Sequence, residues 1–324
     1  LYEQVCGLRI LSYCIMSNHF HILLEVPPRQ DNTITNEALL ERIALTNSPQ
    51  TTATLREQLE TLTSSPNPEA AETLQALRHQ HTRRMWDMGL FIKTLKQRFT
   101  SYYNKKHNRR GTLWEARYKS TLVQDGEASR TIAAYIDLNP VRAGITTDPA
   151  NYRWTTYATA LAGDQLSRNA IARLHHLLDT NQKERQNDNT DGWQPGQNQQ
   201  KLTHHTWAKQ SARYRLSLYE DALVPEASDL KNNQLSTPHK NQKGITQPQL
   251  DKETKRKGHL PLATLARIKT RHYTAGALIG TKEWVQNTTN ALKNLPNPII
   301  PKTRKSPPTK LPKTNLHSLR NLTP

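Results

Sequence analysis

Two histidines flank one aromatic residue in Ser17-Asn18-His19-Phe20-His21, a spacing suited to metal chemistry. In an extended segment side chains alternate between faces. His19 and His21 therefore project together, and Phe20, Ile22, Leu24 and Val26 project the other way. Imidazoles about 7 Å or less apart can converge on one ion, and an ion raised on a sheet polarises phosphates. The apolar set is expected to seat the strand on a core. Alone, the pair also fits two partly solvated histidines on a half-exposed strand.

A second reactive group is Tyr135, which lies four residues before Asn139, so the two share a helix face beside the apolar ridge of Ile132 and Ile136. Taken alone, Tyr135 reads as a packing residue.

These groups need elements to hold them. Leu8 to Ile15 is rich in branched and aromatic residues, and Met16-Ser17-Asn18 is a polar break, which predicts an antiparallel hairpin closed by Pro27-Pro28. Asp125 is placed to cap a helix running to Asn139, with Glu127 in its first turn and Pro140 as its stop. Residues 29–85 read as a helical insertion with pieces at Glu37–Leu45, Ala53–Leu62 and Glu69–His81, broken at Ser64-Ser65-Pro66-Asn67-Pro68. A further helix is predicted over Met85–Lys106, with Met88, Leu90, Phe91, Leu95 and Phe99 on its apolar face.

That helix opens a one-sided run of charge. Between 93 and 119 there are nine basic residues, Lys93, Lys96, Arg98, Lys105, Lys106, Arg109, Arg110, Arg117 and Lys119, against the single acid Glu115. Tyr102, Tyr103, Trp114 and Tyr118 are interleaved with them. Cations beside aromatic rings pair with phosphates and stack on bases. The whole chain agrees: 324 residues carry a net charge of +18 and a pI near 9.9, a balance that points to a polyanionic partner.

With 35% hydrophobic residues, 6% aromatics and 19 prolines, there is too little apolar material to pack the full length. One compact domain with long polar segments is expected: 1–160 as the domain, 161–205 as a polar linker, 206–290 as a small helical region and 291–324 as a disordered basic tail. Within the third, Tyr214 to Tyr219 reads as a short helix and 259–290 as a small ordered unit. Cys6 and Cys14, the only cysteines, read as reduced core thiols. The sequence reads as that of a cytoplasmic protein, with no recognisable secretory signal and no apolar run fit to cross a bilayer. It opens on Leu1 rather than methionine, and is expected to be N-terminally incomplete.

Three stretches together resemble the REP-associated tyrosine transposases, a branch of the single-tyrosine His-hydrophobic-His (HUH) insertion-sequence transposases. They are Tyr13 to Leu23, then Lys96 to Phe99 with Arg110 to Lys119, and Tyr135-Ile136-Asp137-Leu138-Asn139-Pro140-Val141-Arg142-Ala143-Gly144 followed by Tyr152 to Tyr157. More weakly, Arg271 to Gly280 resembles an accessory element of longer members.

The resemblance implies a ferredoxin-like α/β sandwich with an antiparallel sheet, an α+β fold whose first strand would precede this chain. It implies Tyr135 as nucleophile, His19, His21 and Asn139 as ligands of Mg²⁺ or Mn²⁺, and the basic segment, Trp114 and Arg142 on DNA. The substrate implied is single-stranded DNA beside a palindromic hairpin, cleaved through a 5′-phosphotyrosine by a monomer or homodimer. Two rivals stand beside it. One is a truncated or domesticated hairpin-binding protein that does not cut; the other is a basic RNA-binding protein.

Overall fold

The computed structural model describes residues 1–30, 33–179, 204–220, 277–296 and 316–318. They form a mixed α+β protein in two compact units. The division runs through 1–160: Leu1–Ile10 and Leu24–Tyr118 belong to the first unit, whereas Leu11–Leu23 and Lys119–Thr180 belong to the second with the described residues from 204 onward.

In the first unit, a short helix α1 (Tyr2–Cys6) stops at Gly7, which adopts φ +63°. A Cβ at Gly7 would collide with Arg42 and Trp86, so glycine serves both the left-handed turn and the close approach. Three helices fill the predicted insertion, each started by a side-chain cap: α2 (Asn36–Ala44) by Thr35, α3 (Pro49–Ser64) by Ser48 and α4 (Pro68–Thr82) by Asn67. Pro49 and Pro68 begin helices, because a missing N–H costs nothing in the first turn. Leu39, Leu40, Ile43, Leu55, Leu59, Met85 and Trp86 form their core. Helix α5 (Met88–Lys106) starts three residues later than expected, where Asp87 accepts the Leu90 N–H just after Trp86 turns the chain at φ +53°.

The hairpin forms as expected from strands β1 (Arg9–Ile15) and β2 (Phe20–Glu25), closed where the Met16 N–H donates to the His19 carbonyl at 2.8 Å. In the second unit, β1 is tied to the 152–159 segment. The Ile15 N–H donates to the Trp154 carbonyl, the Tyr13 N–H to Thr156 Oγ1, and the Tyr152 hydroxyl to the Ile15 carbonyl.

A second sheet joins β3 (Leu122–Val123) in parallel to β4 (Leu278–Thr281), which pairs antiparallel with β5 (Leu316–Ser318). Helices α6 (Glu127–Asp137), α7 (Asn139–Arg142), α8 (Thr156–Leu161), α9 (Gln165–Asp179), α10 (His204–Glu220) and α11 (Lys282–Lys293) complete this unit. Leu11, Cys14, Leu23, Ile132, Ile136, Tyr157, Ile171, Leu174, Tyr214 and Leu218 share its main core.

Several expectations are corrected. Asp125 does not cap α6: the cap is Gly126 at φ +83°, with no side-chain bond. Asn139 does not end that helix but opens α7, since Leu138 stays helical and Pro140 fits the first turn. Residues 161–205 are not linker throughout, because α9 occupies Gln165–Asp179 on a face closed by Ala170, Ile171 and Leu174. The short helix at 214–219 is the end of the longer α10.

The hairpin faces are also reversed. Leu23, on the histidine side, enters the core, whereas Phe20, Ile22 and Leu24 are half-buried and Val26 is exposed. On α5, Phe91 is buried but Phe99 lies open. Cys6 and Cys14 are free and buried, and burial pushes the Cys14 thiol up to about 12. The linker core at 181–201 and most of 259–290 and of the basic tail lie outside the described residues. No helix among the described residues is long and apolar enough to cross a membrane.

Candidate active site

Strand alternation brings the two imidazoles to one side of β2, with ring centroids 5.0 Å apart and set edge to face. The same side faces the main core, so His21 is mostly covered while His19, beside the turn, is exposed. Burial, then the charges of His19 and Arg142, push the His21 imidazole down to about 4. It is neutral at pH 7, the form that binds a metal. His19 Nδ1 lies 2.7 Å from Asn18 Oδ1. An amide oxygen only accepts, so a neutral ring in this contact donates from Nδ1 and offers the Nε2 lone pair to a metal.

Helix α6 delivers Tyr135 to this pair. Its ring centroid is 5.8 Å from that of His21, nearly edge to face. Arg142 lies two helical turns further on, and its guanidinium sits 4.4 Å above the Tyr135 ring. Arg142 Nη1 also donates to the Tyr135 carbonyl at 3.0 Å. Asn139 Nδ2 donates to the carbonyls of Tyr135 (3.0 Å) and Ile136 (3.3 Å), which holds α7 against α6. Asn139 Oδ1 accepts no hydrogen bond among the described residues, and none joins Asn139 to either histidine.

The structure thus brings His19, His21, Tyr135 and Arg142 into one neighbourhood and places Asn139 one turn beyond the tyrosine. Among the described residues no group of three or more His, Cys, Asp or Glu side chains forms a metal cage. Imidazole nitrogens and an amide oxygen are donor types that divalent ions accept.

The basic candidates lie in the first unit, except Lys119 and Arg142. Lys93, Arg98, Lys105, Lys106, Arg109, Arg110 and Arg117 are exposed there, and so is Lys119 in the second unit. Trp114 is pinned across α5: its indole N–H donates to the Lys96 carbonyl and to Thr100 Oγ1, and Lys96 Nζ sits 5.0 Å over its ring. Phe99 lies 5.9 Å from Trp114 and 6.0 Å from Tyr103. Lys106 stands over Tyr102 and Arg109 over Tyr103. Tyr102, 58% exposed, and Phe99, 47% exposed, present open ring faces among these cations. Exposed rings and cations interleaved in this way combine stacking with positive charge.

Sequence reasoning missed three features. Asn18 as orienter of His19 was readable from adjacency, and Arg142 as a lid on Tyr135 from the i+7 spacing. The third, a bond from Tyr214 to Asp137, had no sequence signal. No known protein family matches the chain, and no curated protein or solved structure matches it either.

Proposed function

We propose that the chain is a single-tyrosine, metal-dependent DNA nicking-and-joining enzyme of the REP-associated transposase type. Its substrate is single-stranded DNA beside a palindromic hairpin. One observation carries the reading: the Tyr135 ring lies against both a neutral histidine of the His-x-His pair and the Arg142 guanidinium. A phenol, two imidazoles and an arginine in one place are the parts of a phosphoryl-transfer site. The hairpin with a helix packed against it also supports a ferredoxin-like arrangement.

His19 Nε2 and His21 would hold Mg²⁺ or Mn²⁺, with Asn139 Oδ1 as third ligand, and such an ion polarises the scissile phosphate as a Lewis acid. Tyr135 Oη attacks phosphorus as the bond to the 3′ oxygen breaks. The phenol proton is lost, the 3′ oxygen gains one, and the 5′ phosphate stays on the tyrosine. Reversal by a 3′-hydroxyl rejoins the strand with no outside energy source. Arg142 would place a positive charge beside the phosphoryl oxygens, while its contacts with the Tyr135 ring and carbonyl hold the two residues together. The cation-aromatic surface of α5 grips the DNA backbone and stacks unpaired bases. The protein acts in the cytoplasm as a monomer or homodimer.

A second reading, a hairpin-binding protein that does not cut, is favoured by the burial of Tyr135, which is 8% exposed. A labelled strand carrying a hairpin separates the two. In Mn²⁺ the enzyme forms a denaturant-resistant protein–DNA adduct that Tyr135→Phe abolishes; the binding protein forms none.

A further inference from the structure

We propose that helix α10, far along the chain from Tyr135, is a working part of this centre, and that Tyr214 and Asp137 are positioning residues for the nucleophile. The inference rests on the reading of Tyr135 as the attacking group.

Asp137 is fully buried at the end of α6. Its Oδ1 accepts the Tyr157 N–H at 3.2 Å, and its Oδ2 accepts the hydroxyl of Tyr214, itself fully buried, at 2.5 Å. The Tyr214 ring lies 5.6 Å from that of Tyr157, so one residue of α10 grips α6 and the start of α8 together. One position on, Arg215 holds Asp148 with both nitrogens, at 3.2 Å and 2.8 Å. Asp148 in turn accepts the Ala150 N–H and shapes the turn that follows α7. The stretch from Tyr135 through Arg142 to this turn is therefore pinned by two adjacent residues of α10.

The geometry explains why the pin would matter to the reaction. Asp137 stands two residues, about 200° of helical rotation, from Tyr135. The clamp holds the rear of α6 while the tyrosine faces His21 on the other side. Ala133, four residues before Asp137 and so on the same face, accepts from Ser12 Oγ of β1 at 3.4 Å through its carbonyl. Removing the rear contact frees α6 to roll or slide, and an in-line attack tolerates little of either. Tyr157 and Thr156, whose backbone begins α8, are placed by the same carboxylate, which couples the nucleophile helix to the segment that secures β1.

The test uses the full chain with Tyr214→Phe and Asp137→Asn. The readouts are single-turnover adduct formation at saturating Mn²⁺, hairpin-DNA affinity, and amide hydrogen exchange along α6. Trp207→Phe serves as control, since Trp207 is a buried α10 residue that touches Arg168 and not Asp137. Tyr214→Phe is expected to slow adduct formation by about 10- to 100-fold, leave DNA affinity within about 3-fold, and speed exchange at the end of α6. Trp207→Phe is expected to keep the rate even where it lowers the melting temperature.

An unchanged rate in Tyr214→Phe, or in Asp137→Asn should the first variant not fold, overturns the positioning role. Unchanged exchange overturns the clamp itself. If the wild type forms no adduct, the nucleophile reading fails and the positioning role fails with it, while the exchange data still decide whether α10 holds α6.

Discussion

Helix α6 buries nine of its eleven residues, whereas α5, with nineteen, buries only Phe91 and Ile92. Both carry residues that the sequence marks as functional, yet they are built for opposite tasks. On α6 a single phenol is held by packing, as a nucleophile that must wait in one place would need to be. On α5 the cations and rings stand in solvent, as the proposed grip on a strand of variable sequence by charge and stacking would need. On the proposed reading, reactivity sits where freedom has been removed, and recognition where it has been kept.

The sharpest way to break this contrast is at the histidines. The double variant His19→Ala, His21→Ala is expected to lose Mn²⁺ binding by calorimetry and to drop adduct formation by at least about 10³-fold, with DNA binding retained. Unchanged metal affinity would remove the site. At the end of α5 and just beyond it, reversing Lys105, Lys106, Arg109 and Arg110 to Glu is expected to weaken DNA binding by about 10²-fold near physiological salt. The salt-dependence slope should fall by about 3, since each lost phosphate contact on a single strand removes about 0.7. A mutant with the wild-type slope would show that this face does not touch DNA.

A smaller effect tests orientation. Asn18→Ala frees the His19 ring, and a 10- to 100-fold loss of Mn²⁺ affinity is expected, with Asn18→Asp restoring most of it. Equal affinities in all three proteins would make the Asn18 bond incidental.

The smallest effect is read in pH. The folded His21 titrates at about 4 against an ordinary 6.5, so below pH 6.5 the unfolded chain takes up a proton that the folded one refuses. The stability contributed by neutral His21 is complete above pH 6.5 and lost as pH falls towards 4, by ~3 kcal/mol at most. Asp137 works in the opposite sense: burial lifts its carboxyl to about 7, so its contribution favours the fold at about pH 4 and declines as pH rises to 7. Urea midpoints of His21→Gln and wild type should therefore diverge on acidification, the wild type losing more. Parallel curves would mean that His21 is not desolvated.

The hairpin was legible because its strands are branched and its turn polar. The insertion helices were legible from their apolar spacing and the break at Ser64 to Pro68, although the caps Thr35, Ser48 and Asn67 that set their starts were not used. The charge of the α5 segment needed no structure to be seen. Which face of the hairpin enters the core was misread: Ile22 and Leu24 outnumber Leu23 in the pattern, but α6 lands on the histidine side. Only tertiary packing decides that. Arg142 over Tyr135 is a local relation and open to anyone counting helical turns. Tyr214 on Asp137 is not: 77 residues separate them, and a tyrosine in an amphipathic helix announces nothing beyond packing.

The central claim is that the buried phenol beside the histidine pair is chemically active. Wild type and Tyr135→Phe, each mixed in Mn²⁺ with a hairpin-bearing single strand labelled 3′ to the scissile phosphate, test it in one gel under denaturing conditions. A label-bearing protein band in the wild type, digestible to a phosphotyrosine peptide at Tyr135 and absent from the variant, is predicted. A band of equal intensity in both proteins, or a peptide mapping to another residue, would contradict the account.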